Sequence, residues 1–208
     1  MEFILVRHAE PVADRVERDG VHADPALSAE GRAQAAALGA APTLGEVDVI
    51  VQSPARRAIE TIAPFAERVG LTPVTVDAVA EFDWGSDDYT PFEVMQETND
   101  PRYAALARGE LYGPTGLPAF RHRVTAAFAE LAAANPGRRR VVVACHAGVI
   151  NTYLGDVLGI DRALWFHPAY TSLSRVRVSQ DGRRAVASVN ETPHLVWAAC
   201  SSEIRSPG

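Results

Sequence analysis

The fold is decided by a short apolar segment, Phe3-Ile4-Leu5-Val6, which is followed directly by Arg7 and His8. Four apolar residues in a row are typical of a strand that is buried on both faces of a sheet. Two more runs of this kind occur at Val47-Asp48-Val49-Ile50-Val51 and Val141-Val142-Val143-Ala144-Cys145. Helical patterns separate the three runs. This order predicts an α/β protein with a mainly parallel sheet and helices on both faces, a three-layer α/β/α sandwich.

The remaining elements are predicted from their end signals. Ser28 is a suitable N-cap for a helix that continues to about Ala40, and a second helix has Pro54 in its first turn and ends at Gly70. The other predicted elements are a short strand over 72–76, an amphipathic helix that starts near 117, a helix over 147–158 and a terminal hairpin over 172–178 and 184–189.

The segment 82–116 breaks the alternation of strands and helices, and we call it the lid segment. Six carboxylates lie between 83 and 100, namely Asp83, Asp87, Asp88, Glu93, Glu97 and Asp100, and the segment also contains the aromatic residues Trp84, Tyr89, Phe92, Tyr103 and Tyr112. A connection this long is often a functional lid, and we expect helix between 93 and 108. No linker or repeat divides the chain, so residues 1–208 are predicted to form one domain with this helical insertion.

Composition excludes several classes of function. Twenty basic and twenty-six acidic residues give the 208-residue chain a net charge of −6, without the cationic block that nucleic-acid binding needs. The longest apolar runs fall far short of the roughly 20 residues of a membrane helix. Cys145 and Cys200 form neither a disulfide framework nor a zinc-ligand pattern. No secretory signal is recognised, so a cytoplasmic protein that binds neither nucleic acid nor membrane is expected.

Polar residues suited to a phosphate group follow the predicted strands. They are Arg7 and His8 after the first strand, Ser53, Arg56 and Arg57 after the second, Glu81 after the third, and His146 after the fourth. Ligands of such sheets bind beyond the carboxyl ends of the strands, so these groups are expected to meet at one edge. Guanidinium groups and the helix N-terminus after His146 bind phosphate, a neutral His attacks phosphorus, and a carboxylic acid protonates the departing oxygen.

The same residues lie in segments that resemble motifs of the histidine phosphatase superfamily, which includes the cofactor-dependent phosphoglycerate mutases. The matching segments are Leu5-Val6-Arg7-His8-Ala9-Glu10, Leu27-Ser28-Ala29-Glu30-Gly31-Arg32, Ser53-Pro54-Ala55-Arg56-Arg57-Ala58-Ile59-Glu60-Thr61 and Val143-Ala144-Cys145-His146-Ala147-Gly148. Asn190 and His194 are similar to the usual tail. The match selects Arg57, which precedes Ala58, over Arg56.

The resemblance implies a two-step phosphoryl transfer without cofactor or metal. His8 would become a phosphohistidine, Arg7, Arg57 and His146 would hold the phosphoryl oxygens, and Glu81 would act as proton donor and then as base. Backbone donors at Ala147 would join the substrate-binding groups. The expected partners are a small phosphorylated substrate and inorganic phosphate as product. Asp83 and Asp87 are alternative proton donors.

Departures from the family pattern favour a phosphatase. Ala9 and Ala147 replace the usual Gly, Pro11 offers neither hydroxyl nor backbone N–H, and the stretch 12–18 lacks the Asn-rich, Trp-containing segment of the glycolytic mutases. Two alternatives stay open: a mutase-type phosphotransferase, and a catalytically idle protein that binds phosphorylated ligands. A metal site formed by the His residues and Glu81 is disfavoured because the arginines would repel a cation.

Several further residues carry specific expectations. Arg123 is expected in a surface ion pair, His122 and His167 in exposed or structural positions, and Cys145 in the core. If the carboxylates of the lid segment face the pocket, a sugar, amine or aromatic monophosphate fits better than a bisphosphate. Trp84 and Tyr89 would then either stack on the leaving group or belong to the core. The oligomeric state stays open, with the terminal hairpin as a candidate edge for a homodimer.

Overall fold

A computed structural model describes residues 1–12, 22–110 and 116–196. Its described part contains a six-stranded sheet in the order β3-β2-β4-β1-β5-β6. The strands are β1 (Glu2–Arg7), β2 (Val49–Gln52), β3 (Val74–Thr75), β4 (Arg140–Cys145), β5 (Leu173–Val178) and β6 (Arg184–Glu191). β1 to β4 are mutually parallel, whereas β5 and β6 form an antiparallel hairpin beside β1. The sheet is therefore mixed but mainly parallel, as the sequence predicts.

Helices cover both faces of this sheet. They are α1 (Ala29–Ala40), α2 (Arg56–Val69), α3 (Phe92–Glu97), α4 (Pro101–Ala107), α5 (Leu117–Ala134) and α6 (Ala147–Leu158). The alternating side chains of β1 divide the core: Phe3 and Leu5 pack in the cluster that includes residues of α5 and α6, while Ile4 and Val6 pack in the cluster that includes residues of α1 and α2. The three-layer prediction is confirmed. Within the described residues, no helix is both long enough and apolar enough to cross a membrane.

Several predicted boundaries are confirmed and others are wrong for local reasons. Ser28 caps α1, since its hydroxyl accepts the backbone N–H of Gly31 at 2.9 Å. Pro54 precedes α2 instead of lying in its first turn, because the chain between β2 and α2 turns through Ala55 in an extended conformation. β3 has two residues instead of five, and both are exposed at the edge of the sheet.

The expectation of helix between 93 and 108 is confirmed, and the helical residues are divided between α3 and α4. α3 ends at Glu97, and Asn99 adopts a left-handed φ of 53°. Asp100 then caps α4 by accepting the backbone N–H of Arg102, with Pro101 in the first turn. A proline disfavours helical backbone in the residue before it, which explains the interruption.

Strand register brings three chain segments together at one edge of the sheet. In the parallel ladders, Arg7 pairs with Cys145, and Gln52 pairs with Ala144. The chain continues the pattern just beyond the strands, because the backbone N–H of His8 donates to Cys145 and that of Ser53 donates to Ala144, each at 2.9 Å. The residues that follow β1, β2 and β4 are consequently neighbours.

Replacing Phe128 tests the core beneath this edge. Its ring stacks on Tyr153 with centroids 3.8 Å apart and meets the ring of Phe3 edge-on at 5.2 Å. Because the side chain is buried, Phe128→Ala should leave a cavity and lower the free energy of unfolding by about 3–5 kcal/mol. Urea denaturation measures this change. Val74→Ala, at an exposed edge position, should change stability by less than about 0.5 kcal/mol, and equal losses would contradict this packing.

Candidate active site

A small cavity opens at the carboxyl edge of the parallel strands. Its volume is about 260 Å³, and it is lined by Arg7, His8, Arg57, Glu81, Asp83, Tyr89, Thr90, Phe92 and Ala147. Five of the six predicted site residues are in this lining. The sixth, His146, lies directly beside it, with its ring centroid 5.2 Å from that of His8. Four distant parts of the chain therefore meet at one site.

His8 is held in the form that suits a nucleophile. Its Nδ1 lies 2.8 Å from the carbonyl oxygen of Ala9, which can only accept, so Nδ1 carries the proton and Nε2 carries the lone pair. Burial, followed by the positive charges of Arg57 and Arg7, lowers the pKa of His8 well below its usual range. The imidazole is therefore neutral at physiological pH.

Two guanidinium groups line the cavity while almost removed from water. Arg7 is 2% exposed and Arg57 is 1% exposed. Each lies over an aromatic ring, Arg7 at 4.0 Å from the centroid of Tyr170 and Arg57 at 4.3 Å from that of Tyr89. The Nε atoms of both have no hydrogen-bond partner in the part of the chain that the structure describes. These two buried donors are available to an anion.

The charges of the two arginines are balanced differently. Arg7 forms an ion pair with Glu93 at 2.7 Å, whereas Arg57 has no ion-pair partner among the described residues. Arg56, the alternative to Arg57 in the sequence, points away and pairs with Glu60 at 2.6 Å on the exposed side of α2. The selection of Arg57 for the site thus agrees with the geometry.

His146 lies just outside the cavity lining, as the N-cap residue of α6. Its Nε2 is 2.7 Å from the hydroxyl oxygen of Ser53, and its buried Nδ1 has no partner among the described residues. Burial, and after it the charge of Arg57, lowers the pKa of His146 well below its usual range. The next residue, Ala147, places the first turn of α6 in the cavity wall, where backbone N–H groups and the helix dipole favour an anion.

Glu81 faces these groups from the turn that follows β3. Its carboxylate accepts the backbone N–H groups of Gly148 at 2.8 Å and of Phe82 at 3.1 Å. A Cβ atom at position 148 would lie 2.3 Å from the Glu81 carboxylate, so only glycine permits this approach. Burial, with a further contribution from the charge of Asp83, raises the pKa of Glu81 to about 7. A carboxyl group of this pKa can both donate and accept a proton near neutral pH.

The alternative proton donors occupy different environments. Asp83 is buried and lines the same cavity, and burial raises its pKa against the opposing charge of Arg57. Asp87 is exposed and lies outside the lining. Glu81 and Asp83 therefore remain as candidates, and Glu81 has the more defined hydrogen bonding.

The expectation for Arg123 is wrong. Instead of forming a surface ion pair, its guanidinium donates to the main-chain carbonyl oxygens of Asp77, Ala78, Ala80 and Glu81, at 3.3, 2.9, 2.9 and 3.3 Å. These oxygens belong to the 3₁₀ turn Asp77–Val79 and to the residues after it. Backbone acceptors leave no mark in the side-chain pattern, which is why the sequence suggested a carboxylate partner. Arg123 thereby ties α5 to the segment that carries Glu81.

The carboxylates of the lid segment divide into three groups. Asp83 lines the cavity, and Glu93 contacts Arg7. Asp88 and Asp100 bind Arg102 at 2.6 and 2.7 Å, and Asp87 and Glu97 are exposed. Some carboxylates of the lid segment therefore contact the site, and the others lie in ion pairs or in solvent.

The aromatic residues of the lid segment also differ from one another. Tyr89 lines the cavity and Trp84 packs against His22, with ring centroids 4.5 Å apart. Tyr103 reaches His167, with its hydroxyl 3.3 Å from Nε2 of that ring. Tyr112 lies outside the described residues.

The remaining expectations concern residues away from the cavity. His122 and His167 are exposed, as predicted. Cys145 is buried in the core, and burial raises the pKa of its thiol, in agreement with a structural role. Cys200 and most of the stretch 12–18 lie outside the described residues.

The sequence did not identify Tyr170 as a contributor to the site. Tyr170 comes from an irregular stretch before β5 that has no periodicity, and its ring lies under Arg7. Ser53 was expected at this edge from its position after β2, but its role as the hydrogen-bond partner of His146 was not predicted.

Comparison with known proteins identifies the family. The family model described as histidine phosphatase superfamily (branch 1) matches residues 3–192. The sequence is 27% identical to phosphoserine phosphatase 1 of Hydrogenobacter thermophilus over 200 residues, and the alignment covers 94% of each chain.

Solved structures share the fold. A phosphoserine phosphatase from Entamoeba histolytica in complex with 3-phosphoglyceric acid has a TM-score of 0.72 at 22% identity, over 93% of this chain and 98% of that one. A mycobacterial glucosyl-3-phosphoglycerate phosphatase complexed with VO3 also has a TM-score of 0.72 at 22% identity, over 92% and 99%. Because the family model covers nearly the whole of the described sheet and every predicted site residue, the chain belongs to branch 1 of the histidine phosphatase superfamily.

Proposed function

We propose that this histidine phosphatase hydrolyses phosphomonoesters in two steps, through a phosphohistidine formed on His8. The observation that carries the proposal is the pair of buried Nε–H donors of Arg7 and Arg57, which have no partner among the described residues, on two side chains that line one cavity with His8. A buried donor without an acceptor costs free energy, and a charged one costs more. A phosphoryl dianion satisfies both donors and neutralises both charges.

In the first step, the lone pair on Nε2 of His8 forms a bond to phosphorus as the bond from phosphorus to the ester oxygen breaks. The carboxyl group of Glu81 gives its proton to that oxygen, which leaves as an alcohol. The raised pKa of Glu81, about 7, supports this role because about half of the carboxyl groups are still protonated at neutral pH.

In the second step, the Glu81 carboxylate takes a proton from a water molecule whose oxygen attacks phosphorus. The bond between Nε2 and phosphorus breaks, so inorganic phosphate and neutral His8 are released. Arg7, Arg57, His146 and the N-terminus of α6 at Ala147 stabilise the negative charge on the phosphoryl oxygens in both steps. The positive charge of Arg7 and Arg57 performs the task that a metal ion performs in other phosphatases, so the proposal includes no metal or cofactor.

The cavity favours a small monophosphate over a bisphosphate. Two carboxylates, Glu81 and Asp83, line it. A second anionic group on the substrate would be repelled by Asp83, whereas a neutral or cationic leaving group would not. Some relatives are named for action on phosphoserine or glucosyl-3-phosphoglycerate, which supports a small phosphorylated metabolite of the sugar or amine type.

Three expectations of wider organisation are part of the same proposal. They are a cytoplasmic location, a single domain with 82–116 as its lid, and a homodimer that pairs through the terminal hairpin. β6 is an edge strand of the described sheet, which supports the last of these.

Trapping the intermediate tests the proposed function. Wild-type enzyme mixed briefly with a phosphomonoester and quenched in base should carry one phosphoryl group on His8, detected by mass spectrometry of the peptides. His8→Ala should lose activity by at least about 10³-fold and carry no label. His122→Ala, at an exposed histidine, should behave as wild type.

The acceptor of the phosphoryl group separates the alternatives. Release of inorganic phosphate supports hydrolysis, whereas a phosphorylated second substrate would establish a phosphotransferase. Phosphate binding without label or turnover would identify a protein that only binds phosphorylated ligands. Label on another residue, with full activity of folded His8→Ala, would refute the nucleophile.

The raised pKa of Glu81 predicts a pH dependence. Only the protonated carboxyl can serve as acid, so kcat/KM for an alkyl phosphate should fall as the pH rises above about 7. An aryl phosphate, whose leaving group needs little protonation, should show a weaker fall. Glu81→Gln should slow the alkyl substrate by roughly 10²-fold and abolish the fall above pH 7. If the variant keeps the same alkaline fall, another group is the acid, with Asp83→Asn as the next variant to measure.

Arg123 gives a separate prediction, because it contacts the main chain around Glu81 and not the cavity. Arg123→Ala should misplace the carboxyl and slow alkyl phosphate hydrolysis by roughly tenfold or more, with a smaller effect on an aryl phosphate. Arg121→Ala, on the same helix but paired with exposed Asp161, is the matched control and should change neither rate. Equal slowing of both substrates by Arg123→Ala would contradict the positioning role.

A further inference from the structure

The guanidinium group of Arg7 is held from three sides by groups outside the cavity. Nη1 donates to Glu93 at 2.7 Å and to the carbonyl oxygen of Pro168 at 2.5 Å, and Nη2 donates to Glu93 at 3.3 Å. The ring of Tyr170 lies under the guanidinium plane at 4.0 Å. Nη1 therefore uses both of its N–H groups and Nη2 uses one, whereas Nε has no partner among the described residues.

Glu93 contacts Arg7 without lining the cavity. Arg7 and the neighbouring Phe92 line the cavity, whereas Glu93 does not. The Glu93 carboxylate also accepts the hydroxyl of Tyr170 at 2.7 Å, so both of its oxygens have defined donors. Burial favours the neutral form of Glu93, yet the charge and hydrogen bonds of Arg7 outweigh burial and lower its pKa. Glu93 is thus an anion held by hydrogen bonds next to Arg7 and outside the cavity lining.

The two sides of this arrangement come from different parts of the fold. Pro168 and Tyr170 belong to the stretch before β5, which is tied down by two residues of the C-terminal part: Asn190 accepts the backbone N–H of Ala169 at 2.7 Å, and the His194 ring is 2.9 Å from the Thr171 hydroxyl. Thr171 adopts a φ of 56°, an unfavourable conformation for a β-branched residue that this environment enforces.

Glu93, in contrast, lies in the first turn of α3, within the lid segment. Its carboxylate joins the lid segment to the rigid stretch that carries Tyr170 and to Arg7 at the end of β1. The orientation of Arg7 therefore depends on the position of α3, which carries Glu93.

We propose that Glu93 is a positioning residue that orients Arg7 for the phosphoryl group, so that the first turn of α3 completes the anion site. The proposal rests on the proposed function, in which Arg7 holds phosphoryl oxygens. Glu93 fixes the outer nitrogens of Arg7 and thereby directs Nε toward the cavity. Without Glu93, the guanidinium would be free to rotate about its last torsions and would lose its fixed donor.

The effect of Glu93 on phosphate affinity can be tested by its direction, because charge alone and the positioning role predict opposite changes when Glu93 is replaced. Removing a carboxylate near the cavity leaves the site more cationic, and a simple Coulomb argument then predicts tighter binding of phosphate. The positioning role predicts weaker binding, because an oriented donor is lost. The direction of the change decides between them.

Calorimetric titration with inorganic phosphate is the test. Glu93→Gln, which keeps the size of the side chain, should raise the Kd of phosphate by about tenfold and raise KM for a phosphomonoester in parallel. Tyr170→Phe, which leaves every charge in place and removes only one hydrogen bond to Glu93, should shift both quantities in the same direction by a smaller factor. Glu97→Gln, an exposed carboxylate on the same helix, is the matched control and should bind phosphate as wild type does.

Each outcome has one meaning. Weaker phosphate binding in Glu93→Gln that still unfolds in one cooperative transition supports the inference, with the thermal midpoint lowered by the loss of the ion pair to buried Arg7. Unchanged or tighter binding overturns it, and Tyr170→Phe gives the same decision if Glu93→Gln does not fold. A wild-type enzyme that neither binds phosphate nor releases it from phosphomonoesters would overturn the proposed function instead.

Discussion

Two positively charged side chains removed from water at one edge of a sheet are the constraint on which the rest of the site depends. Transfer of a charge from water into a protein interior is costly unless a partner of opposite charge is present. Arg7 has such a partner in Glu93, and both arginines lie against aromatic rings that attract cations. Arg57 has no ion-pair partner in the described residues, so its stabilisation is incomplete without an anion in the cavity. The site is thus built to be stabilised by what it binds.

Burial shifts the pKa values of the two histidines and of Glu81 in opposite directions. It disfavours any charged form, so the pKa values of His8 and His146 fall, while the pKa of Glu81 rises. The neighbouring arginines reinforce the fall for the histidines, and Asp83 reinforces the rise for Glu81. A neutral imidazole and a protonated carboxyl then coexist near neutral pH. That pairing is what nucleophilic attack and leaving-group protonation require.

Much of this arrangement could be predicted from the sequence because strand ends share one edge. The continuous apolar runs located β1 and β4, and the polar residues that follow them had to be neighbours once the strands were parallel. Arg123 could not be predicted in the same way, because its partners are carbonyl oxygens, which every residue has. Tyr170 and Glu93 come from segments without periodicity or from a short helix, and their contacts depend on tertiary packing. The helical pattern of the lid segment did not predict the interruption at Asn99, although Pro101 in the sequence is consistent with it.

The hydrogen bond between Nδ1 of His8 and the carbonyl oxygen of Ala9 has a consequence for the fate of a phosphorylated ring. Once Nε2 carries phosphorus, the imidazole holds a positive charge if Nδ1 keeps its proton, and the Ala9 oxygen stabilises that proton. A cationic phosphoimidazole expels a neutral ring, whereas an uncharged one would have to expel an imidazolate anion. The contact that exposes the lone pair for the first displacement thus also makes the adduct short-lived, and favours an enzyme that turns over instead of storing its phosphoryl group.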